Sequence, residues 1–312
     1  MSSINTNVAA MTALQSLSHT NKMLTETQNR VSTGLRVSEA SDNAAYWSIA
    51  TTMRSDKAAL STVQDALGLG ASVVDVAYTA VNSAIDVVSE IKKKLVAAKE
   101  PGVDKTKIQT EITELQKQLS GIATSASFSG ENWLSVDSSA AGFTATKSIV
   151  ASFTRTGSSV SVQTIAIDTS AMDLFDANTA ATNAAAGILD ANRTTTGAID
   201  NTATTWSISN LSISATTTDS TLDSYISGAD AAMKEMTDVA SSLGAVKSRI
   251  DLQQNFAKSL MDALDRGIGA LVDADMNAES TRLQALQVQQ QLGIQALSIA
   301  NSSSQNILRL FQ

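Results

Sequence analysis

The residues that could do chemistry are few and scattered. His19 is the single histidine. It stands among Ser18, Thr20 and Asn21, with no second imidazole to share a metal and no cysteine anywhere in the 312 residues. The missing cysteines exclude a disulfide scaffold, a thiolate zinc site and a cysteine nucleophile. There is no HExxH, GxSxG or GxxxxGK[ST] pattern. Gly68-Leu69-Gly70 begins like a dinucleotide loop, but Val73 holds the place of the third glycine, so both glycines read as close-packing positions. Asp173, Asp176 and Asp190 could meet a cation, at spacings no EF-hand loop uses. Lys92, Lys93 and Lys94 read as a solvated helix face, and the three Asn-X-Ser/Thr sequons, at Asn192, Asn210 and Asn301, read as chance. The sequence therefore points to no catalytic, cofactor or metal residues, and function must lie in surfaces.

Those surfaces belong to long helices. One proline in 312 residues and 4% aromatics describe a chain of uninterrupted helices with a thin core of Ala, Val, Leu and Ile. Length sets a soft prior of about two domains. A formal net charge of -8 argues against a nucleic-acid partner. The first 21 residues are uncharged but interrupted by polar side chains, so they read as no Sec signal, and no stretch reads as a bilayer-spanning helix.

Stepping alternately by three and four gives Leu60, Val63, Leu67, Gly70, Val74, Ala77, Val81, Ala84, Val88, Ile91, Leu95 and Ala98, every one apolar or glycine. That 3.5-residue repeat predicts a rod about 58 Å long with one stripe facing partner helices. Pro101-Gly102 ends it, and Ile108, Ile112, Leu115, Leu119 and Ile122 predict the return arm of an αα-hairpin. A third seam runs from Ala229 through Met236, Leu243, Ile250 and Ala257 to Leu271. It weakens through Met276, Leu283, Leu286, Leu297 and Ile307, where a second stripe joins it: Ala285, Val288, Leu292, Ala296 and Ile299. Ile4, Val8, Met11, Leu14, Leu17, Leu24 and Val31 give the N-terminus a similar seam. Polar residues dilute both ends, so each is marginal alone and is expected to pack between molecules.

The middle of the chain is rich in Ser and Thr. Ile149, Ala151 and Phe153, then Val160, Val162, Ile165 and Ile167, predict two strands around a Thr156-Gly157-Ser158 turn. Trp206, Ile208, Leu211 and Ile213 suggest a third strand, and residues 177–189 a short helix. The fold class is therefore mainly α: an antiparallel coiled-coil bundle built from both chain ends, with an inserted β-rich or mixed α/β outer domain. The division expected is residues 1–35 with 273–312, residues 36–135 with 229–272, and residues 136–228.

Ile4-Asn5-Thr6-Asn7, then Arg30-Val31-Ser32-Thr33-Gly34-Leu35-Arg36, Asp42-Asn43-Ala44-Ala45 and Ile49-Ala50 resemble bacterial flagellin in order and spacing. So do Phe128-Ser129-Gly130-Glu131-Asn132-Trp133-Leu134, Ala274-Asp275-Met276, Gln289-Gln290-Gln291 and the run from Ala300 to Leu308. The resemblance implies inner-tube helices from both termini, a helical rod and a variable surface domain. It implies a structural, non-enzymatic subunit that polymerises into the extracellular flagellar filament for swimming. The alternative is a hook–filament junction protein. Packing between subunits would fall to Ile4, Val8, Met11, Leu14, Leu17, Leu24, Leu283, Leu286, Leu292, Leu297, Ile299 and Ile307. No cofactor is implied. Implied partners are other copies and other flagellins, the flagellar export apparatus, an export chaperone, the filament cap and hook-associated proteins. Export would follow the flagellar type III pathway without a cleaved signal. Many flagellins bind a vertebrate innate receptor through a stretch that aligns with Ser89, Glu90, Ile91, Lys92 and Lys93, with Glu90 standing where the family has an arginine.

Overall fold

A computed structural model describes residues 7–157, 159–177, 187–199 and 206–309, with side chains as far as 302 in the last stretch. The described residues form five helices: α1 (Val8–Thr33), α2 (Ala44–Ala97), α3 (Lys105–Ser125), α4 (Asp219–Val272) and α5 (Met276–Arg309). Between α3 and α4 the described residues form six strands, β1 (Ser127–Phe128), β2 (Glu131–Asn132), β3 (Ser135–Val136), β4 (Thr146–Thr156), β5 (Ser159–Asp168) and β6 (Phe175–Asp176). The chain forms two compact units, residues 1–58 with 261–312, and residues 59–260.

In the unit of residues 59–260 the heptad seam is the core. All twelve seam positions from Leu60 to Ala98 are buried, and Leu67, Val74, Val81, Val88, Ile91 and Leu95 are fully so. Ile112 and Leu119 of α3 and Met236, Leu243 and Ile250 of α4 close over them. One window of α2 is apolar and long enough, by length and composition alone, to cross a membrane, contrary to the reading of the sequence. A third of that window is buried inside the structure. In the basic run Lys93 is solvated, 70% exposed, while Lys92 and Lys94 are about one-third exposed and paired across helices. Lys92 pairs with Asp230 on α4, Lys94 reaches Glu111 on α3 at 2.6 Å, and Lys93 meets Glu90 at 3.2 Å.

The turn between α2 and α3 carries Gly102 at φ 89°, and Asp104 caps α3 by accepting from the Thr106 amide at 3.0 Å. β1 and β2 form a hairpin whose two turn residues, Ser129 (φ 54°) and Gly130 (φ 86°), both take the left-handed conformation. β4 and β5 pair antiparallel with a bulge between Val150 and Ser152, and turn at Gly157, φ 64°. Their inner face packs on α2: a Cβ on Gly70 would sit 2.5 Å from Ile149 Cγ2. Gly70 is thus a close-packing position, whereas nothing lies within 4 Å of a Cβ on Gly68.

The third expected strand does not form. Trp206, Ile208, Leu211 and Ile213 are all buried, but in turns and irregular backbone. Side chains of α3 satisfy that backbone instead. Gln116 Nε2 donates to the Ile208 and Leu211 carbonyls at 3.0 and 3.1 Å, and Gln109 Oε1 accepts from the Ile213 amide at 2.7 Å. The helix expected over 177–189 falls largely outside the described residues. Buried side chains of the described residues between Trp133 and Ile213 share one contiguous apolar core with α2, α3 and α4.

Candidate assembly surface

In the unit of residues 1–58 and 261–312 the two terminal helices lie antiparallel. Asn7 Nδ2 donates to the Ala300 carbonyl at 3.0 Å, Leu17 faces Gly293, Gln290 Nε2 donates to Asn21 Oδ1 at 2.8 Å, and Arg30 Nη1 donates to Glu279 Oε1 at 3.2 Å. Asn7 also caps α1 through the Ala10 amide, and Gly34 closes it at φ 73°. The connectors beyond are tied together: Leu35 bridges Asp273, the Arg36 and Val37 amides donate to the Val272 carbonyl, and the Ala274 amide donates to the Gly34 carbonyl. Beneath them Val37, Ala50, Ile268 and Val272 make a small core.

The less exposed stripe of α1 is Ala10, Ala13, Leu17, Thr20, Leu24, Thr27 and Val31; that of α5 is Glu279, Leu283, Leu286, Gln290, Gly293, Leu297 and Ala300. Both step by three and four. Of the residues expected to pack between molecules, Leu17, Leu24, Leu283, Leu286 and Leu297 therefore lie on the less exposed stripe, with Leu17 set against Gly293 of the same chain. Val8, Met11, Leu14, Leu292 and Ile299 lie on the opposite sides, 57–69% exposed. Ile4 lies outside the described residues, as does the side chain of Ile307. The seam within α1 is rich in Ala and Thr, while the larger Val8, Met11 and Leu14 stay in water. A solvated stripe of large apolar side chains on both helices is a surface built to be covered.

Among the described residues nothing comparable favours catalysis. Ser170 and Ser242 line a cleft of about 540 Å³ with Asp173, Glu235 and Asp238, without a histidine beside them. His19 is exposed on α1. Among the described residues no group of three or more His, Cys, Asp or Glu is placed to hold a metal. Of the acidic trio, Asp190 Oδ2 accepts from the Asp176 amide at 2.9 Å, and Asp176 Oδ1 accepts from the Ser138 amide at 2.9 Å.

Burial, with neighbouring carboxylates adding to it, pushes Asp173 and Asp190 each up to about 6. A carboxyl raised in the folded state holds a proton that the unfolded chain releases, so folded stability falls as pH rises from about 4 through 6. Asp137 and Asp168 are held below the ordinary value by hydrogen bonds to Ser139 and Ser170, so their effect lies below that window. The segment around Trp133 and Trp206 should melt at a higher temperature at pH 5 than at pH 7.5. Asp190→Asn should raise the pH 7.5 value and flatten the dependence. Tryptophan fluorescence in a Trp47→Phe background reads this, and a melting point equal or higher at pH 7.5 contradicts it.

The surface that asks for cover sits on the most recognisable part of the chain. The description "Bacterial flagellin N-terminal helical region" matches residues 4–139, and "Bacterial flagellin C-terminal helical region" matches residues 226–311. Flagellin C of Rhizobium meliloti (strain 1021) is 55% identical over 326 aligned positions covering all of both chains. The chain belongs to the bacterial flagellin family. Flagellin of Brucella melitensis is 47% identical over 313 positions and Flagellin A of Rhizobium meliloti 46% over 400, again with both chains fully covered. As a flagellin, the chain is a structural, non-enzymatic subunit of the extracellular flagellar filament that self-associates and keeps company with other flagellins. The hook-associated alternative is not favoured.

Proposed function

We propose that residues 1–35 with 273–312 form the inner tube of the filament, residues 36–135 with 229–272 its rod layer, and residues 136–228 its variable outer surface. The solvated stripes on α1 and α5 carry this reading. Val8, Met11, Leu14, Leu292 and Ile299 would bury against neighbouring copies, because a head-to-tail contact that does not close on itself builds an open helical polymer. Two facts agree with an outer segment of variable length: the family descriptions stop at 139 and resume at 226, and alignments to relatives run from 313 to 400 positions against 312 residues here. Helical reconstruction of filaments grown from the chain tests it. Those five side chains should be covered by neighbouring subunits at the smallest radius. Finding them at the outer surface, or facing solvent, would overturn the assignment.

Family membership extends the proposal to partners met on the way: export through the flagellar type III pathway without a cleaved signal, an export chaperone, the filament cap and hook-associated proteins. It also extends to the innate receptor. On α2, Ile91 is fully buried, so Glu90 and Lys93 are the parts of the 89–93 segment most open to a partner, with Ser89 and Lys92 half-buried. Where relatives offer an arginine fork to a receptor carboxylate, Glu90 offers only acceptors of like charge. Losing such a pair lowers affinity by roughly thirty-fold or more. The monomer should therefore activate a receptor reporter cell weakly, and Glu90→Arg should strengthen the response. Activation equal to that of arginine-bearing flagellins would end this reading.

A further inference from the structure

Glu279 is buried in the terminal helix pair, 9% exposed, and Arg30 reaches its Oε1 at 3.2 Å. Arg30 stands in the last turn of α1 and Glu279 in the first turn of α5. Each charge suits its own helix end, a cation at the C-terminus and an anion at the N-terminus. Arg30 also meets Glu26 at 2.5 Å, one turn back on α1.

The rest of the interface says little about where along its length the two helices should meet. Its seam repeats every seven residues and includes Ala10, Ala13, Thr20, Thr27 and Gly293. A slide of seven residues keeps the two less exposed stripes facing, although it replaces Leu17 over Gly293 by Ala10 or Leu24. Asn7 donates to a backbone carbonyl, which every register supplies, and the Gln290–Asn21 contact is exposed. Among the polar contacts only the charged pair discriminates strongly. A slide in one direction sets Glu279 against Met23; a slide in the other carries it past Thr33, where α1 ends. Either way Glu279 loses its cation at a site shielded from water, which is strongly unfavourable, while Arg30 keeps only Glu26 on its own helix.

We propose that the Arg30–Glu279 pair selects the heptad register of the terminal helices, and with it the alignment of the Val8, Met11 and Leu14 stripe against the Leu292 and Ile299 stripe. The first half stands on the helix pair alone. The second, that a neighbouring copy reads this alignment, rests on the assembly reading above. The two residues position the assembly surface without belonging to it.

The absence of cysteine makes the register directly measurable. A Cβ on Gly293 lies 3.8 Å from the Cβ of Leu17, inside the ~3.5–4.5 Å range of a disulfide. Leu17→Cys with Gly293→Cys in the dilute full-length chain therefore reports the native register. Ala10→Cys or Leu24→Cys, each with Gly293→Cys, reports a slide of one heptad. After oxidation, non-reducing electrophoresis separates the looped chain from the open one. With Arg30 and Glu279 intact only the 17–293 bond should close. With Arg30→Met and Glu279→Met together, its yield should fall several-fold and a shifted bond should appear. The charge exchange, Arg30→Glu with Glu279→Arg in a Glu26→Gln background, should restore part of the 17–293 closure, even where the methionine variant leaves the helices unpaired. Two results overturn the register proposal: undiminished 17–293 closure with silent shifted reporters in the methionine variant, or no restoration by the exchange. Normal filaments from a variant shown to have slipped would instead overturn the second half and leave the register claim standing.

Discussion

Leu292→Asp should leave the chain folded and stop it polymerising. Leu292 is 58% exposed on α5, on the side away from the stripe that includes Gly293. In the free chain an aspartate there stays hydrated and costs only the few tenths of a kcal/mol by which it is a poorer helix former. In the proposed filament the same carboxylate is taken out of water between subunits with no cation to meet it. An uncompensated buried charge costs about 3–5 kcal/mol. At ~1.4 kcal/mol per decade, the concentration needed to polymerise should rise by roughly two to four decades. Sedimentation and electron microscopy measure the assembly, and circular dichroism melting measures the fold. Leu286→Asp should behave differently, because Leu286 is buried within the chain: the helix pair itself should loosen. Wild-type filaments from Leu292→Asp would mean that this stripe does not lie between subunits.

Arg193→Ala should unfold the outer segment and spare assembly. The Arg193 side chain is completely buried, and its guanidinium donates to both Glu235 carboxylate oxygens, at 2.6 and 3.2 Å. It also donates to the Ile188 and Gly197 carbonyls at 2.8 and 3.0 Å. One side chain thus ties two turns of the outer segment to α4. Truncation leaves a cavity and strips two backbone carbonyls of a donor. Glu235 is 36% exposed and recovers part of its hydration. Taken together the loss should be about 3–5 kcal/mol. Arg193→Lys should recover only a fraction, since an ammonium cannot reproduce the planar fork. Urea unfolding followed through Trp206, which packs edge-on against Tyr225 with ring centroids 4.7 Å apart, reports the segment. An unchanged transition would show that the buried pair adds no net stability. Filaments should still form, because the stripes on α1 and α5 are untouched.

Much of this was legible along the chain because helical periodicity is a local property. The positions from Leu60 to Ala98 announce a buried stripe through composition alone, and every one of them is buried. The strands β4 and β5 were equally visible, since alternation of apolar residues repeats over ten or so positions. The spacing of Trp206, Ile208, Leu211 and Ile213 predicts a strand, and they are buried without forming one. What satisfies their backbone is a pair of glutamines about 100 residues away in the chain, and no local pattern carries that. Arg193 was likewise one basic residue among hydroxyls until Glu235 was brought beside it.

The terminal helices divide the two sources of information most clearly. Sequence alone determined that both ends are helical and carry apolar residues on more than one face. Which stripe turns inward was undecidable from it, because hydrophobicity favoured the wrong one: Val8, Met11 and Leu14 are larger than the Ala10, Ala13 and Thr20 of the less exposed stripe. The tertiary structure decided by shape and charge. Small side chains let two helices approach closely, Leu17 fills the space over Gly293, and the pair is closed by Arg30 on Glu279, so the larger apolar stripe is left for another molecule to cover.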